Sequence, residues 1–157
     1  MLFATDFYVY LRMSYVQNIH HVVISTKNRE MTIPTEHTEK LYQYITGIIK
    51  NKQCNLLAIG GIPNHIHLLV EVHTQLSTSS LIGEIKRCSS VWMKSDGHFP
   101  LFQGWGKEYA SFSASYGHCG VLKDYILNQQ VHHADKRFED EYRRLILKNG
   151  LVYYEAK

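Results

Sequence analysis

Residues Cys54 to Val72 read CNLLAIGGIPNHIHLLVEV, and the fold can be worked out from this stretch. Two short apolar runs, Cys54 to Ile59 and His65 to Val72, flank Gly60-Gly61-Ile62-Pro63-Asn64. Glycine, proline and asparagine together read as a turn, so the pair is expected to form a hairpin. Upstream, Leu41, Tyr44, Ile45, Ile48 and Ile49 recur at helical spacing. That predicts a helix from about Thr35, with Thr35 as N-cap after Pro34. Before it, Asn18 to Thr26 is rich in β-branched residues and reads as a strand. Downstream, Leu81, Ile85, Cys88 and Trp92 make the buried stripe of a helix starting near Ser79 or Ser80 and running to Trp92. Glycines and a proline break the chain from Gly97 to Gly106. A strand follows at about Lys107 to Tyr116, where Phe112, Ala114 and Tyr116 alternate with serines. Two helices close the chain, about Val121 to His133 and about Phe138 to Lys148, the second ended by Asn149-Gly150. The order β-α-β-β-α-β-α-α predicts an α+β fold. It is a ferredoxin-like split βαβ antiparallel sheet with added C-terminal helices, the first carrying Tyr125.

At 157 residues the chain is long enough to bury one core, and no internal repeat or linker divides it. Residues 14–157 are expected to form that single domain. Residues 1–13 are expected to be an N-terminal extension outside the core, since Met13-Ser14 reads as well as a start as Met1. No apolar run approaches the roughly 20 residues needed to cross a bilayer, so no membrane partner is expected. Met1 to Arg12 lacks the basic leader and cleavage site of a signal peptide. The cysteines Cys54, Cys88 and Cys119 are odd in number and form no CxxC pair. That argues against a cysteine-based zinc site and fits the reducing cytoplasm. A net charge of +3 permits a nucleic-acid partner without demanding one.

The unusual count is ten histidines, and histidine binds metals and moves protons near neutral pH. In a strand, His65 and His67 project from one face while Ile66 enters the other. Two co-facing imidazoles supply most of a facial metal site. The same pattern also fits two polar side chains lining a solvated sheet. On the penultimate helix, Tyr125 and Gln129 are an i, i+4 pair, with His132 and His133 on the same side. Tyr125 alone reads as core packing, but a buried glutamine amide needs partners, and a metal or a neighbouring subunit would provide one. Together the two groups offer a tyrosine nucleophile, a Lewis-acid site and an amide oxygen suited to magnesium or manganese.

Pro63-Asn64-His65-Ile66-His67-Leu68-Leu69-Val70 resembles the HUH motif (His, hydrophobe, His) of the single-tyrosine transposases. These are the insertion-sequence 200-like proteins and their relatives associated with repetitive palindromes. Tyr125-Ile126-x-Asn128-Gln129-x-x-His132-His133 resembles that family's catalytic helix. His20-His21-Val22-Val23, Thr26-Lys27-x-Arg29 and Phe138-x-x-Glu141-Tyr142 are similar to its beginning and end. The resemblance implies DNA transposition, with Tyr125 as nucleophile and a divalent metal, Mg2+ or Mn2+, on His65, His67 and Gln129. It further implies single-stranded hairpin DNA as substrate, a 5′-phosphotyrosine intermediate, and a homodimer whose active sites are shared between subunits. It gives His132 and His133 no catalytic role. Lys27, Arg29, Lys86, Arg87 and Lys94 are candidates for phosphate contact, and Trp105 or Tyr109 for base stacking. Two other readings use the same residues. One is a metal-dependent hydrolase with a water nucleophile; the other is a non-catalytic nucleic-acid-binding module.

Overall fold

Alternation of apolar side chains builds a four-stranded sheet whose two faces are both covered. A computed structural model describes residues 15–134 and 136–155, so the extension expected over residues 1–13 lies outside them. The strands are β1 (Ile19–Thr26), β2 (Asn55–Ile62), β3 (His65–Glu71) and β4 (Trp105–Ala114). They lie in the order β2-β3-β1-β4, every neighbouring pair antiparallel. The long helices are α1 (Thr38–Asn51) and α2 (Thr78–Asp96), and the sequence of elements is the β-α-β-β-α-β expected. After the sheet come α3 (Cys119–Leu127), a single turn α4 (Gln129–His132) and α5 (Phe138–Lys148).

Val22 and Ile24 of β1 and Ile66, Leu68 and Val70 of β3 face Leu41, Ile45, Leu81, Ile82 and Ile85 of α1 and α2. Burying each such side chain contributes roughly 1.5–3 kcal/mol, so this layer anchors the sheet. The opposite face carries Ile19, Val23, Leu69, Ala110 and Phe112. It is covered by Cys119 and Ile126 of α3 and by Phe138, Tyr142 and Leu145 of α5. His21, His65 and His67 lie on this second face, beneath the C-terminal helices.

Four local expectations are corrected. Thr35 does not cap the first helix: it opens a short 3-10 turn, Thr35–His37, and α1 begins at Thr38. The second long helix starts at Thr78, because the Ser77 hydroxyl accepts from the Ser80 amide at 3.1 Å. It runs past Trp92 to Asp96 and ends on Gly97 in the left-handed region (φ 84°). Gly60 and Gly61 are not turn residues: β2 continues through both to Ile62, and only Pro63-Asn64 turns. Their lack of a side chain serves close backbone approach instead, since a β-carbon on Gly60 would sit 2.1 Å from the Ile126 carbonyl oxygen. Finally, the penultimate helix is not continuous from Val121 to His133. It breaks at Asn128 (φ −99°, ψ 22°), whose side-chain amide donates to the Asp124 carbonyl at 2.8 Å.

Candidate active site

His65 and His67 leave β3 on the face covered by α3 to α5, and neither is accessible to solvent. The solvated-face reading of the pair therefore fails. Their neighbours determine which ring nitrogens face the centre. The Asn64 amide nitrogen donates to the Arg29 carbonyl at 3.3 Å, which turns Asn64 Oδ1 towards His65 Nδ1 at 2.7 Å. Nδ1 of His65 is therefore the protonated nitrogen, and its Nε2 presents a lone pair to the centre. His67 Nδ1 shares a 2.8 Å hydrogen bond with His21 Nε2, and its own Nε2 is buried without a hydrogen-bond partner. Burial lowers His65 to about 4 and His21 to about 3, and it lowers His67 as well. At neutral pH all three rings are uncharged.

Oxygen atoms complete the ring of acceptors. Gln129 follows the break at Asn128 and is buried. Its amide nitrogen donates to Glu141 Oε1 at 3.0 Å, so its Oε1 is turned to His65 Nε2 at 3.1 Å. Glu141 reaches in from α5, its Oε2 lying 3.4 Å from His65 Nε2 and its Oε1 3.5 Å from His67 Nε2. Donor atoms of His65, His67 and Glu141 all lie within 4.8 Å of one another. Lone pairs of two imidazoles, an amide and a carboxylate converging in a buried space repel one another. A divalent cation removes that repulsion, and an orphaned Nε2 on His67 is what such a site predicts.

Tyr125 sits one helical turn before the break, half-buried, with its ring edge-on to His67 (centroids 5.7 Å apart) and to His21 (6.1 Å). Its hydroxyl donates to Glu141 Oε1. Burial pushes the Tyr125 hydroxyl well above the usual phenol range, and the Glu141 carboxylate adds to the rise. Burial also pushes the Glu141 carboxyl up, but the adjacent His65 and His67 rings and the Tyr125 hydroxyl outweigh it and keep the group ionised. α3 reaches this position by resting on β2, with Ile126 over Gly60, and Gly60 pairs across the sheet with His67. One chain thus brings Tyr125 to its own His65-Ile66-His67 strand. The exchange of tyrosine helices between subunits that the resemblance implies is not needed to assemble these residues.

Three participants carry no role in the sequence reading: Glu141, His21 and Asn64. Glu141 was hidden among the acids Glu139, Asp140 and Glu141 in the first turn of α5. Its signal is its place in the apolar stripe Phe138, Tyr142, Leu145, where a carboxylate needs partners. His133, also without an expected role, has both ring nitrogens facing acceptors, Lys136 O at 2.8 Å and Glu141 Oε2 at 2.5 Å. Phe138 stacks on the His65 ring at 4.0 Å.

The expected DNA-contact residues divide by surroundings. Lys86 donates to the carbonyls of Gly106, Lys107 and Glu108 at 2.8, 3.2 and 3.2 Å, along the edge of β4. The Trp105 indole donates to the Ser89 hydroxyl at 2.9 Å and packs edge-on against Phe102. Both side chains are thus committed within the fold. Arg29 lies over the rings of Phe138 and Tyr142, at 5.5 and 5.2 Å, and 3.7 Å from Glu139. Lys27 is exposed beside it, and Arg87 is exposed and paired with Glu84 at 2.9 Å.

Residues 14–129 match a family profile described as "Transposase IS200 like". A candidate transposase of Deinococcus radiodurans R1 has a similar structure, with 23% identity and a TM-score of 0.60, covering 75% of this chain and 95% of that one. The structure of the REP-associated tyrosine transposase bound to a REP hairpin is also similar, with 16% identity and a TM-score of 0.60, covering 93% of this chain and 90% of that one. No curated protein matches the chain.

Proposed function

This chain belongs to the IS200-like transposase family, and from that premise we propose that it is a metal-dependent single-strand DNA endonuclease and strand transferase with Tyr125 as nucleophile. The observation that carries the reading is the convergence of Tyr125, His65, His67 and Gln129 on one buried carboxylate within a single chain. His65, His67 and Gln129 are the residues to hold Mg2+ or Mn2+, ions that accept nitrogen and amide-oxygen donors. Bound there, the ion supplies Lewis-acid polarisation of the scissile phosphate.

The chain's own residues do the rest. Asn64 and His21 orient the two imidazoles, and Phe138 stacks on His65 to hold its ring in plane. Gln129 is held by its bond to Glu141, and the Tyr125 hydroxyl is held beside it. Holding a nucleophile in place replaces the entropy otherwise lost when reactants meet. Tyr125 Oη bonds to phosphorus while the bond from phosphorus to the 3′ oxygen breaks. The products are a 5′-phosphotyrosine and a 3′-hydroxyl, the tyrosine's proton ending on the leaving oxygen. The phosphotyrosine conserves the bond for rejoining to another strand.

The substrate is single-stranded DNA carrying a hairpin at the ends of a mobile element. The similar transposase holding a REP hairpin supports this choice. Lys27 and Arg29, close in sequence to β1 and with Arg29 against α5, are the cations for phosphate contact.

End-group analysis tests the reaction. Cleaved hairpin oligonucleotide should carry a 3′ end that a polymerase extends and a 5′ end that resists phosphatase and kinase even after proteolysis, because a tyrosyl peptide remains on its phosphate. A free 5′-phosphate formed at the same rate by Tyr125→Phe would establish a water nucleophile instead.

A further inference from the structure

We propose that Glu141 is itself a ligand of the divalent ion, through Oε2, while its Oε1 holds Tyr125 against the same ion. This rests on the reading of His65, His67 and Gln129 as ligands. Those three donors are neutral, and a buried dication needs a nearby negative charge. Among the described residues Glu141 is the only buried carboxylate, at 5% exposure.

The lone pairs of the carboxylate assign its two oxygens. Each oxygen has about two acceptor positions. Oε1 accepts from the Tyr125 hydroxyl and from the Gln129 amide, which fills it. Oε2 accepts from His133 alone, so one lone pair stays free, and this oxygen lies 3.4 Å from His65 Nε2. Neighbouring ligands on an octahedral ion with bonds of about 2.1 Å are about 3 Å apart. The separations of 3.1 Å (Gln129 to His65) and 3.4 Å (Glu141 to His65) are close to that value. Nor can the carboxylate swing away easily. Phe138, Tyr142 and Leu145 bury the same face of α5 in the core, and His133 braces Oε2 from the side.

The consequence is a fixed link between ion and nucleophile through one side chain. It differs from a metal site in which the tyrosine is positioned by the substrate alone.

Manganese binding to the full chain, followed by electron paramagnetic resonance without DNA, tests it. Glu141→Gln should weaken Mn2+ binding at least tenfold, while Asp140→Asn on the exposed side of α5 leaves it within twofold. Wild-type protein carrying glutamate labelled with carbon-13 at the side-chain carboxylate, and unlabelled glutamine, should show the hyperfine coupling of a directly bound carboxylate. With ring-deuterated tyrosine, a coupling from Tyr125 should be present in wild type and lost in Mn2+-saturated Glu141→Gln. Equal Mn2+ affinity in Glu141→Gln, or no carboxylate coupling in wild type, overturns the ligand assignment and leaves the tyrosine chemistry standing. A tyrosine coupling unchanged by Glu141→Gln overturns the link. Wild type that binds no Mn2+ overturns both this inference and the metal role on which it rests.

Discussion

Gly60 lies directly under the carbonyl of Ile126, so close that a β-carbon would stand 2.1 Å from the oxygen. The residue before that carbonyl is Tyr125, and the strand partner of Gly60 is His67. The contact therefore sets the spacing between tyrosine helix and metal strand. Gly60→Ala should push α3 outward at a cost of about 1–3 kcal/mol. Adduct formation should fall at least tenfold, while Mn2+ binding at His65 and His67 persists. Wild-type cleavage rates in a folded Gly60→Ala protein would show that the spacing does not matter.

His21 shares a hydrogen bond of 2.8 Å with His67 Nδ1 and stacks on its ring at 5.1 Å. Partners behind a metal-binding histidine are worth about 10–100-fold in metal affinity. His21→Phe keeps the ring and removes the hydrogen bond, so titration calorimetry with Mn2+ should read a loss in that range. An unchanged affinity would assign His21 to packing alone.

Acid should destabilise the metal-free protein. His21 and His65 are lowered to about 3 and about 4 by burial, from an ordinary 6.5. The unfolded chain therefore binds more protons than the folded one in between. Their contribution is fully present above about pH 6.5 and is lost as pH falls towards about 4. Each group contributes a slope of at most about 1.4 kcal/mol per pH unit. Urea midpoints measured at about pH 7, 6 and 5 should fall in that order, and a flat series would contradict the buried, neutral histidines.

Because one chain carries Tyr125 to its own HUH strand, subunits should not complement one another. Mixing Tyr125→Phe with His65→Ala should give no more cleavage than either alone, as read on labelled hairpin DNA. Recovery of activity in the mixture would show that the tyrosine helix is exchanged between subunits.

Much of this was legible in the residues because it depends on local period. Alternation placed His65 and His67 on one face opposite Ile66, and helical spacing placed Tyr125 near Gln129. The split βαβ plan followed from the run of elements. What was not legible depends on tertiary approach. Gly60 and Gly61 look like turn residues until Ile126 and the neighbouring strand are packed against them. At the break, the Asp124 carbonyl accepts from both the backbone and the side-chain amide of Asn128, an arrangement that helical periodicity does not register. Glu141 shares its turn with two exposed acids, and its place in the stripe of Phe138, Tyr142 and Leu145 carries meaning only once that face is known to be packed. The partners of Lys86 and Trp105, the carbonyls of β4 and Ser89, are distant in sequence and so do not show in it.

The central claim is that Tyr125 becomes covalently joined to DNA with the help of the divalent ion. Mass spectrometry of proteolysed reactions with single-stranded hairpin DNA and Mn2+ tests it directly. The peptide spanning Tyr125 should carry a nucleotide phosphate on the tyrosine oxygen. The adduct should vanish with chelator, with Tyr125→Phe, and with His65→Ala or His67→Ala in protein that still binds the hairpin. Cleavage of the DNA by wild type with an unmodified Tyr125 peptide, or an adduct that forms equally well without metal, would contradict the account.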